Sequence, residues 1–151
     1  MWGAPRLREG TLESEIGRDP RDRQKMAVVK SGGRVAITHY TVEEIFGGID
    51  ADTALASLVE CRLEPGRTHQ IRVHMAAMRH PLLGDTDYGA GFLTKVKKLS
   101  EDARAALDRL GRQALHARLL AFEHPKSGKV MRFESELPED MEALVEALAA
   151  M

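Results

Sequence analysis

The chain of 151 residues contains a single cysteine, Cys61. One cysteine excludes a disulfide framework and any metal site built from several cysteines. Aromatic residues are scarce, seven in all, and they are scattered without the paired motif of RNA-recognition sheets. No apolar run approaches the roughly 20 residues that a membrane-spanning helix needs. Residues 1–9 hold no apolar stretch and no cleavage site, so we expect no signal peptide, no membrane association and a cytoplasmic protein.

Neither sign of charge dominates, since 22 basic and 23 acidic side chains give a formal net charge of −1. The charge is unevenly placed, because residues 134–151 hold six acidic side chains and no basic one. The other 133 residues carry 22 basic and 17 acidic side chains, a formal charge of +5. A basic body is compatible with a partner that exposes a phosphate backbone, and also with a solvated surface of mixed sign.

The pattern of apolar and turn-forming residues predicts strands in pairs, with helices between and after them. Residues 1–34 look irregular because glycine and proline punctuate them. The expected elements are strands at 35–46 and 54–63, a helix capped by Thr68 and stopped by Pro81, a helix at 100–110 capped by Ser100, a hairpin of 115–122 with 130–135, and a last helix from about 138. This order predicts one α+β fold with a mixed, mainly antiparallel sheet and flanking helices.

The densest polar stretch of the chain is residues 66–74, Gly-Arg-Thr-His-Gln-Ile-Arg-Val-His, at the start of the first predicted helix. A helix N-terminus presents unpaired N–H groups and a partial positive charge. Arg67 and Arg72 add planar forks that bind two oxygens at once. The residues alone leave two interpretations open. One is an anion site for a phosphate or for a carboxylate of the same protein, and the other is a capped surface helix with solvated arginines.

Other candidate sites carry weaker signals. His69 and His74 are five residues apart, which does not place two ligands on one helical face, so we expect no metal site. Cys61 falls in a predicted strand, where a small buried hydrophobic side chain is a better interpretation than a nucleophile. The three lysines of residues 95–98 form either a solvated charge run or a contact to phosphate.

Residues 66–74 resemble the signature of the ribosomal large-subunit type of RNA pseudouridine synthases. Further blocks match this family in order along the chain, and the resemblance covers about residues 3–148. These blocks are 17–19 (Gly-Arg-Asp), 25–28 (Lys-Met-Ala-Val), 36–40 (Ala-Ile-Thr-His-Tyr), 80–85 (His-Pro-Leu-Leu-Gly-Asp), 87–89 (Asp-Tyr-Gly), 112–117 (Arg-Gln-Ala-Leu-His-Ala) and 122–128 (Phe-x-His-Pro-x-x-Gly).

The resemblance implies an isomerase that converts selected uridines of structured RNA to pseudouridine, with large-subunit ribosomal RNA as the expected substrate. Such enzymes break the glycosidic C–N bond, turn the base and rejoin it through carbon, without a metal or other cofactor. The target nucleotide is flipped out of its stack. The last arginine of the signature, Arg72, is expected to pair with the catalytic aspartate, because an opposite charge keeps a carboxylate ionised and oriented. Five further residues are expected to bind RNA: Arg67, His69, Gln70, His74 and Arg79.

The chain departs from the family in one respect that bears on catalysis. The catalytic aspartate belongs to a His-Arg-Leu-Asp block that precedes all the blocks above, and this sequence holds no such block. Asp108 follows a leucine but comes after the signature, inside a helical pattern, and is interpreted as a solvated helix residue. The active-site tyrosine of the family also lies upstream. Tyr40 is therefore interpreted as a strand residue packed on the sheet.

Residues 1–151 are thus expected to be the C-terminal portion of a pseudouridine synthase catalytic domain, which would be inactive alone because the catalytic aspartate and tyrosine blocks are missing. Two alternatives remain open. The chain could be a remnant that binds RNA without modifying it, or a small domain that binds a protein through an unpaired sheet edge. Phosphate-driven binding weakens steeply as salt rises, which would separate these two alternatives.

Overall fold

The computed structural model describes residues 1–151, with the side chain of Leu93 left out. Three α-helices, one 3₁₀ helix and six strands are formed by the described residues. In chain order they are β1 (Glu9–Arg18), β2 (Met26–Val29), β3 (Arg34–Phe46), β4 (Ala56–Glu64), α1 (Gln70–Ala77), the 3₁₀ helix (Ala90–Lys98), α2 (Glu101–Leu110), β5 (Leu119–Glu123), β6 (Val130–Glu134) and α3 (Glu139–Ala149).

The main sheet has four strands in the order β2-β1-β3-β4, and every neighbouring pair is antiparallel. Tyr40 in the middle of β3 lies opposite Gly10 of β1 on one side and Cys61 of β4 on the other. The predicted strands at 35–46 and 54–63, their antiparallel pairing and the α+β class are confirmed. Tyr40 packs in the core at 7% exposure, as expected of a strand residue.

The expectation that residues 1–34 are irregular is wrong, because β1 and β2 occupy much of this segment. The inward positions of β1 alternate with exposed acids, which is the pattern of a half-buried strand. Two of those inward positions hold the small residues Gly10 and Ser14, so the alternation of apolar and polar residues is not visible in the sequence. A Cβ at Gly10 would lie 2.7 Å from the hydroxyl oxygen of Tyr40, and Ser14 faces a buried histidine.

Helix α1 lies on one face of the main sheet. Ile16 of β1 and Ala36 of β3 pack against Val73 of α1, at 2%, 0% and 4% exposure. Side chains alternate between the two faces of a strand, so Arg18 and Arg34 project to the same side of the sheet as α1. The end of the sheet near the start of α1 is therefore rich in arginine.

The remaining helices build a second core. Helices α2 and α3 pack against each other and around Trp2, Phe46 and Leu83. The predicted boundaries of α2 are confirmed, since the Ser100 side chain accepts a hydrogen bond from the backbone N–H of Ala103 at 3.2 Å. Asp108 is exposed on α2. Among the described residues, no helix is both long and apolar enough to cross a membrane.

Strands β5 and β6 form a separate two-stranded sheet. The predicted hairpin is confirmed, although β5 begins at Leu119 rather than at 115. Phe122 and Phe133 stack across it with ring centroids 6.0 Å apart, and both are about half exposed. A hairpin of two strands gains little stability by itself, so this apolar surface contributes less to the fold than the two cores do.

Candidate functional site

Arg72 is the centre of the candidate site. Its Nε and Nη2 atoms donate to the two carboxylate oxygens of Asp85, at 2.7 and 2.8 Å, and Nη2 also donates to Asp87 at 2.7 Å. The guanidinium carbon lies 4.8 Å from the ring centre of Tyr88, within the range of a cation–π contact. Arg72 is therefore fixed by two carboxylates and one aromatic ring.

One corner of the Arg72 guanidinium is left for another partner. Nη1 takes part in none of these hydrogen bonds. In the described part of the chain, no fully buried polar side-chain atom lacks a partner, so Nη1 lies at an accessible edge. The side chain of Asp85 is 0% exposed and that of Asp87 is 50% exposed, so the cluster meets solvent on the side of Asp87.

Asp85 anchors this arrangement electrostatically. Burial alone would raise the pKa of Asp85, but hydrogen bonds from Arg72 and from the backbone N–H groups of Tyr88 and Asp87 outweigh it. The net result is a pKa below the ordinary value of 3.8. Hydrogen bonding to Asp85 in turn raises the pKa of Arg72 against the opposing effect of burial. The pair is thus ionised at all pH values where the protein is expected to work.

Tyr88 ties this cluster to the sheet. Its hydroxyl oxygen accepts a hydrogen bond from the backbone N–H of Met26 in β2, at 3.0 Å, and shares another with Nδ1 of His69, at 2.9 Å. Lys25, next to β2, donates to the carbonyl oxygen of Asp87 at 3.0 Å. The edge strand β2 and the turn before it consequently lie directly beside the Arg72 cluster.

A buried polar network holds α1 on the sheet. Nδ1 and Nε2 of His74 lie 2.8 Å from the hydroxyls of Thr38 in β3 and Ser14 in β1, respectively. The Gln70 side chain donates to the carbonyl of Ile37 at 2.8 Å and to the Thr38 hydroxyl at 3.1 Å. Burial lowers the pKa of His74 below its ordinary value of 6.5, so the imidazole is neutral. These bonds fix the helix turn that carries Arg72.

The start of α1 differs from the prediction. Thr68 does not cap the helix, because the N-cap residue is His69, which has a φ of 55° and makes no side-chain capping bond. The chain turns into the helix through this left-handed residue, and the Gln70 side chain accepts a bond from the backbone N–H of Arg67 at 2.7 Å. That bond satisfies the backbone N–H of Arg67 just before the helix.

The five residues predicted to bind RNA fall into three positions. Arg67 and His69 lie at the start of α1 beside the Arg72 cluster, where His69 is exposed and the Arg67 side chain reaches the carbonyl of Val35 at 3.2 Å. Arg79 is exposed near the far end of the helix, roughly 12 Å away. Gln70 and His74 are each 2% exposed, with their polar atoms bonded inside the protein. For these two, burial argues against RNA contact and for positioning of α1.

Sequence reasoning missed the partners of Arg72. Asp85, Asp87 and Tyr88 were noticed only as parts of matching blocks, with no role attached. Their contact with Arg72 spans 13 to 16 residues and depends on the turn after α1, where Gly84 adopts a φ of 72°. The available signal was the Gly-Asp-x-Asp-Tyr-Gly run itself, which places two carboxylates one turn after an arginine-bearing helix.

The part of the chain that the structure describes holds neither a metal-binding cluster nor an activated cysteine. This part contains no group of three or more His, Cys, Asp or Glu side chains that could hold a metal ion. Burial raises the pKa of the Cys61 thiol to about 11, so it is not an activated nucleophile. The arrangement around Arg72 can bind and orient an anionic group, but it offers no uncommitted carboxylate within the cluster.

The chain is similar in sequence to known proteins of one family. The family model for RNA pseudouridylate synthases matches residues 3–77. The ribosomal large subunit pseudouridine synthase D of Xanthomonas campestris is 50% identical over 139 residues, which are 92% of this chain and 39% of that protein. The protein of the same name in Neisseria meningitidis is 45% identical over 141 residues, 93% of this chain and 35% of its own length.

A solved structure shows the same fold. Human RNA pseudouridylate synthase domain containing 1 superposes with a TM-score of 0.66 and 24% sequence identity, over 99% of this chain and 63% of the human chain. The chain spans about two fifths of the length of the curated relatives named above. On the family match and on the identity across more than nine tenths of its residues, the chain belongs to the RNA pseudouridylate synthase family.

Proposed function

We propose that this chain supplies the arginine portion of a pseudouridine synthase active site, which acts on uridine in structured RNA and specifically in large-subunit ribosomal RNA. The observation that carries the proposal is Arg72, fixed by Asp85 and Asp87 with Nη1 unused at an accessible edge. The names of the Xanthomonas and Neisseria relatives support the choice of substrate, and they favour a synthase over a non-catalytic RNA-binding remnant.

In this proposal Nη1 of Arg72 holds the catalytic aspartate, which a His-Arg-Leu-Asp block outside the present sequence would provide. Because the guanidinium is already held in place, it can align that carboxylate against the flipped uridine with no further loss of side-chain conformational entropy. Asp85 already neutralises much of the Arg72 charge. The incoming carboxylate is then oriented mainly by hydrogen bonds, and its pKa is lowered less than it would be beside an unpaired arginine. The buried network of His74, Thr38 and Gln70 keeps the helix turn in place.

The experiment is a fusion that supplies the missing block. The portion of the Xanthomonas relative that precedes its match to this chain is joined to residues 1–151, and pseudouridine is measured in a large-subunit ribosomal RNA transcript. We expect the fusion to form pseudouridine and the 151-residue chain alone to form none. Pseudouridine formed by the chain alone would contradict the proposal, as would a folded fusion without activity.

A matched pair of variants in the fusion tests the role of Arg72. Arg72→Lys keeps the charge but loses the planar fork, so kcat is expected to fall about 100-fold while RNA affinity stays within about threefold. Arg109→Lys, at an exposed position of α2, is the control and should leave both quantities unchanged. If Arg72 gripped phosphate instead, Arg72→Ala would weaken RNA binding by more than about 2 kcal/mol, and the role assigned to it would be wrong.

A further inference from the structure

The segment between α2 and β5, residues 111–118 of the described chain, forms neither helix nor strand, although residues 112–116 are half buried. Its backbone polar groups therefore need partners outside a helix or a sheet. The side chain of Arg112 supplies two of these partners, because Nη1 donates to the carbonyl oxygens of Gln113 and Leu115, both at 3.3 Å. One arginine side chain thus holds the path of the segment.

The rest of the Arg112 guanidinium is bound by α3. Nε donates to one carboxylate oxygen of Asp140 at 3.1 Å, and Nη2 lies 2.9 Å from both. An arginine that binds a carboxylate through two nitrogens is held in distance and in orientation. Asp140 lies in the first turn of α3, where the helix dipole also favours a negative charge. Arg112 therefore joins the start of α3 to the backbone of the irregular segment.

The same segment packs against the turn after α1. The backbone N–H of Ala114 donates to the carbonyl oxygen of Leu83 at 2.8 Å. Gly84 lies so close to the segment that a Cβ there would be 2.1 Å from the carbonyl oxygen of Arg112. Asp85 follows Gly84 directly in the chain. The irregular segment thus fixes the backbone immediately before the Asp85 carboxylate.

A second contact leads from the segment to α1 itself. Leu115 packs against the core cluster that contains Leu82 and Met75. Met75 is 1% exposed and lies on α1, three residues after Arg72. The segment consequently touches both elements that hold the Arg72 guanidinium, the helix that carries it and the turn that carries its carboxylate partner.

We propose that Arg112 and Asp140 are positioning residues of the active site. Their ion pair holds residues 112–115 against the turn after α1, and this turn sets the place of Asp85 and hence of the Arg72 guanidinium. The inference rests on the proposed function, in which Arg72 aligns the catalytic carboxylate. A displacement of about 1 Å in an orienting group lowers the rate by up to about 100-fold. A pair that only docked α3 would change stability and leave the rate of the folded enzyme unaltered.

The first test measures kcat and the KM for RNA in the fusion of the Xanthomonas portion with residues 1–151, at a temperature where circular dichroism shows every variant to be folded. Arg112→Gln removes the ion pair and the bonds to the two carbonyls, whereas Asp140→Asn removes only the charge and one acceptor. Arg109→Gln is the control for the arginine, since it changes an exposed arginine of α2. Asp102→Asn is the control for the acid, because Asp102 is exposed and lies two residues after the N-cap of α2, as Asp140 does in α3.

We expect Arg112→Gln to lower kcat about tenfold and Asp140→Asn about threefold, each with KM within about twofold of the unaltered fusion. Both controls should leave kcat and KM unchanged. If Arg112→Gln fails to fold, Asp140→Asn decides alone. An unchanged kcat in the folded variants, or equal losses in the variants and their controls, would overturn the inference and leave the synthase assignment standing.

A measurement on the 151-residue chain separates this inference from the proposed function, because it needs neither RNA nor catalysis. The Nε–H group of Arg72, bonded to Asp85 at 2.7 Å, should give an NMR resonance protected from exchange with water. We expect Asp140→Asn to shift this resonance and to speed its exchange about threefold or more, while Asp102→Asn leaves both unchanged. An Arg72 resonance that Asp140→Asn does not alter would overturn the inference. An altered resonance together with an inactive fusion would refute the proposed function alone.

Discussion

The buried ion pair between Arg72 and Asp85 makes a quantitative prediction for Asp85→Asn. The asparagine has nearly the same shape, but it removes the charge and turns a donor NH2 group toward the donors of Arg72. Breaking a buried pair from one side costs about 3–5 kcal/mol. The lower end applies here, because Arg72 keeps Asp87 as a partner and is itself 10% exposed. We therefore expect a loss of about 3 kcal/mol, or about 6–12 °C in Tm for a chain of this size.

The assay is urea unfolding followed by circular dichroism, with comparison at constant m-value. Two matched variants serve as controls. Asp87→Asn should cost about 1 kcal/mol or less, because that carboxylate is half exposed. Asp108→Asn, on the exposed face of α2, should change nothing measurable.

Two results would refute this reasoning. One is a loss below about 1 kcal/mol for Asp85→Asn, which would mean that the pair contributes no more than a surface salt bridge. The other is additivity of Asp85→Asn and Arg72→Ala in the double variant, which would mean that the two side chains do not interact.

Three further predictions concern residues outside that pair. Burial lowers the pKa of His74, so the imidazole should titrate in NMR spectra below the usual 6.5. The free energy of unfolding should fall as the pH drops below about 6.5, because the unfolded chain then takes up the proton more readily than the folded one. A His74 titration at or above 6.5 would contradict its burial. The Cys61 thiol, with its pKa of about 11, should react with an aromatic disulfide reagent at pH ~8 far more slowly in the folded chain than in urea. Equal rates would mean that the thiol is not held in the sheet. Gly84→Ala should destabilise by at least about 2 kcal/mol, because a Cβ would lie 2.1 Å from the carbonyl oxygen of Arg112 at a φ of 72°. Gly32→Ala is its control, since Gly32 has a similar φ of 79° but no atom within 4 Å of a Cβ, so it should cost about 1 kcal/mol. If urea unfolding gave equal losses of unfolding free energy for Gly84→Ala and Gly32→Ala, the close contact with Arg112 would contribute nothing.

Regular apolar spacing predicted most of the fold. The strands at 35–46 and 54–63 and the helix after Ser100 are found where the sequence places them, because their own side chains form the two cores. β1 escaped detection because Gly10 and Ser14 face inward, where a tyrosine ring and a histidine need room and a polar partner. Those neighbours are 30 and 60 residues away, so no local pattern reports them.

The candidate site was predictable in part. The signature at 66–74 identified Arg72. An anion site, for a phosphate or for a carboxylate of the same protein, was one of the two interpretations that the residues left open. The identity of those carboxylates depends on a turn through Gly84, and the left-handed His69 occupies a conformation usually left to glycine. Tertiary contacts decided both features. The catalytic aspartate expected beside Arg72 remains a prediction.

The most direct test of the central claim is the pseudouridine yield of the fusion with and without Arg72. The account predicts that the fusion modifies a large-subunit ribosomal RNA transcript, and that Arg72→Lys reduces single-turnover conversion about 100-fold while the folded protein still binds the transcript. Conversion by Arg72→Lys at the same rate as by the unaltered fusion would contradict the claim that this arginine holds the catalytic carboxylate.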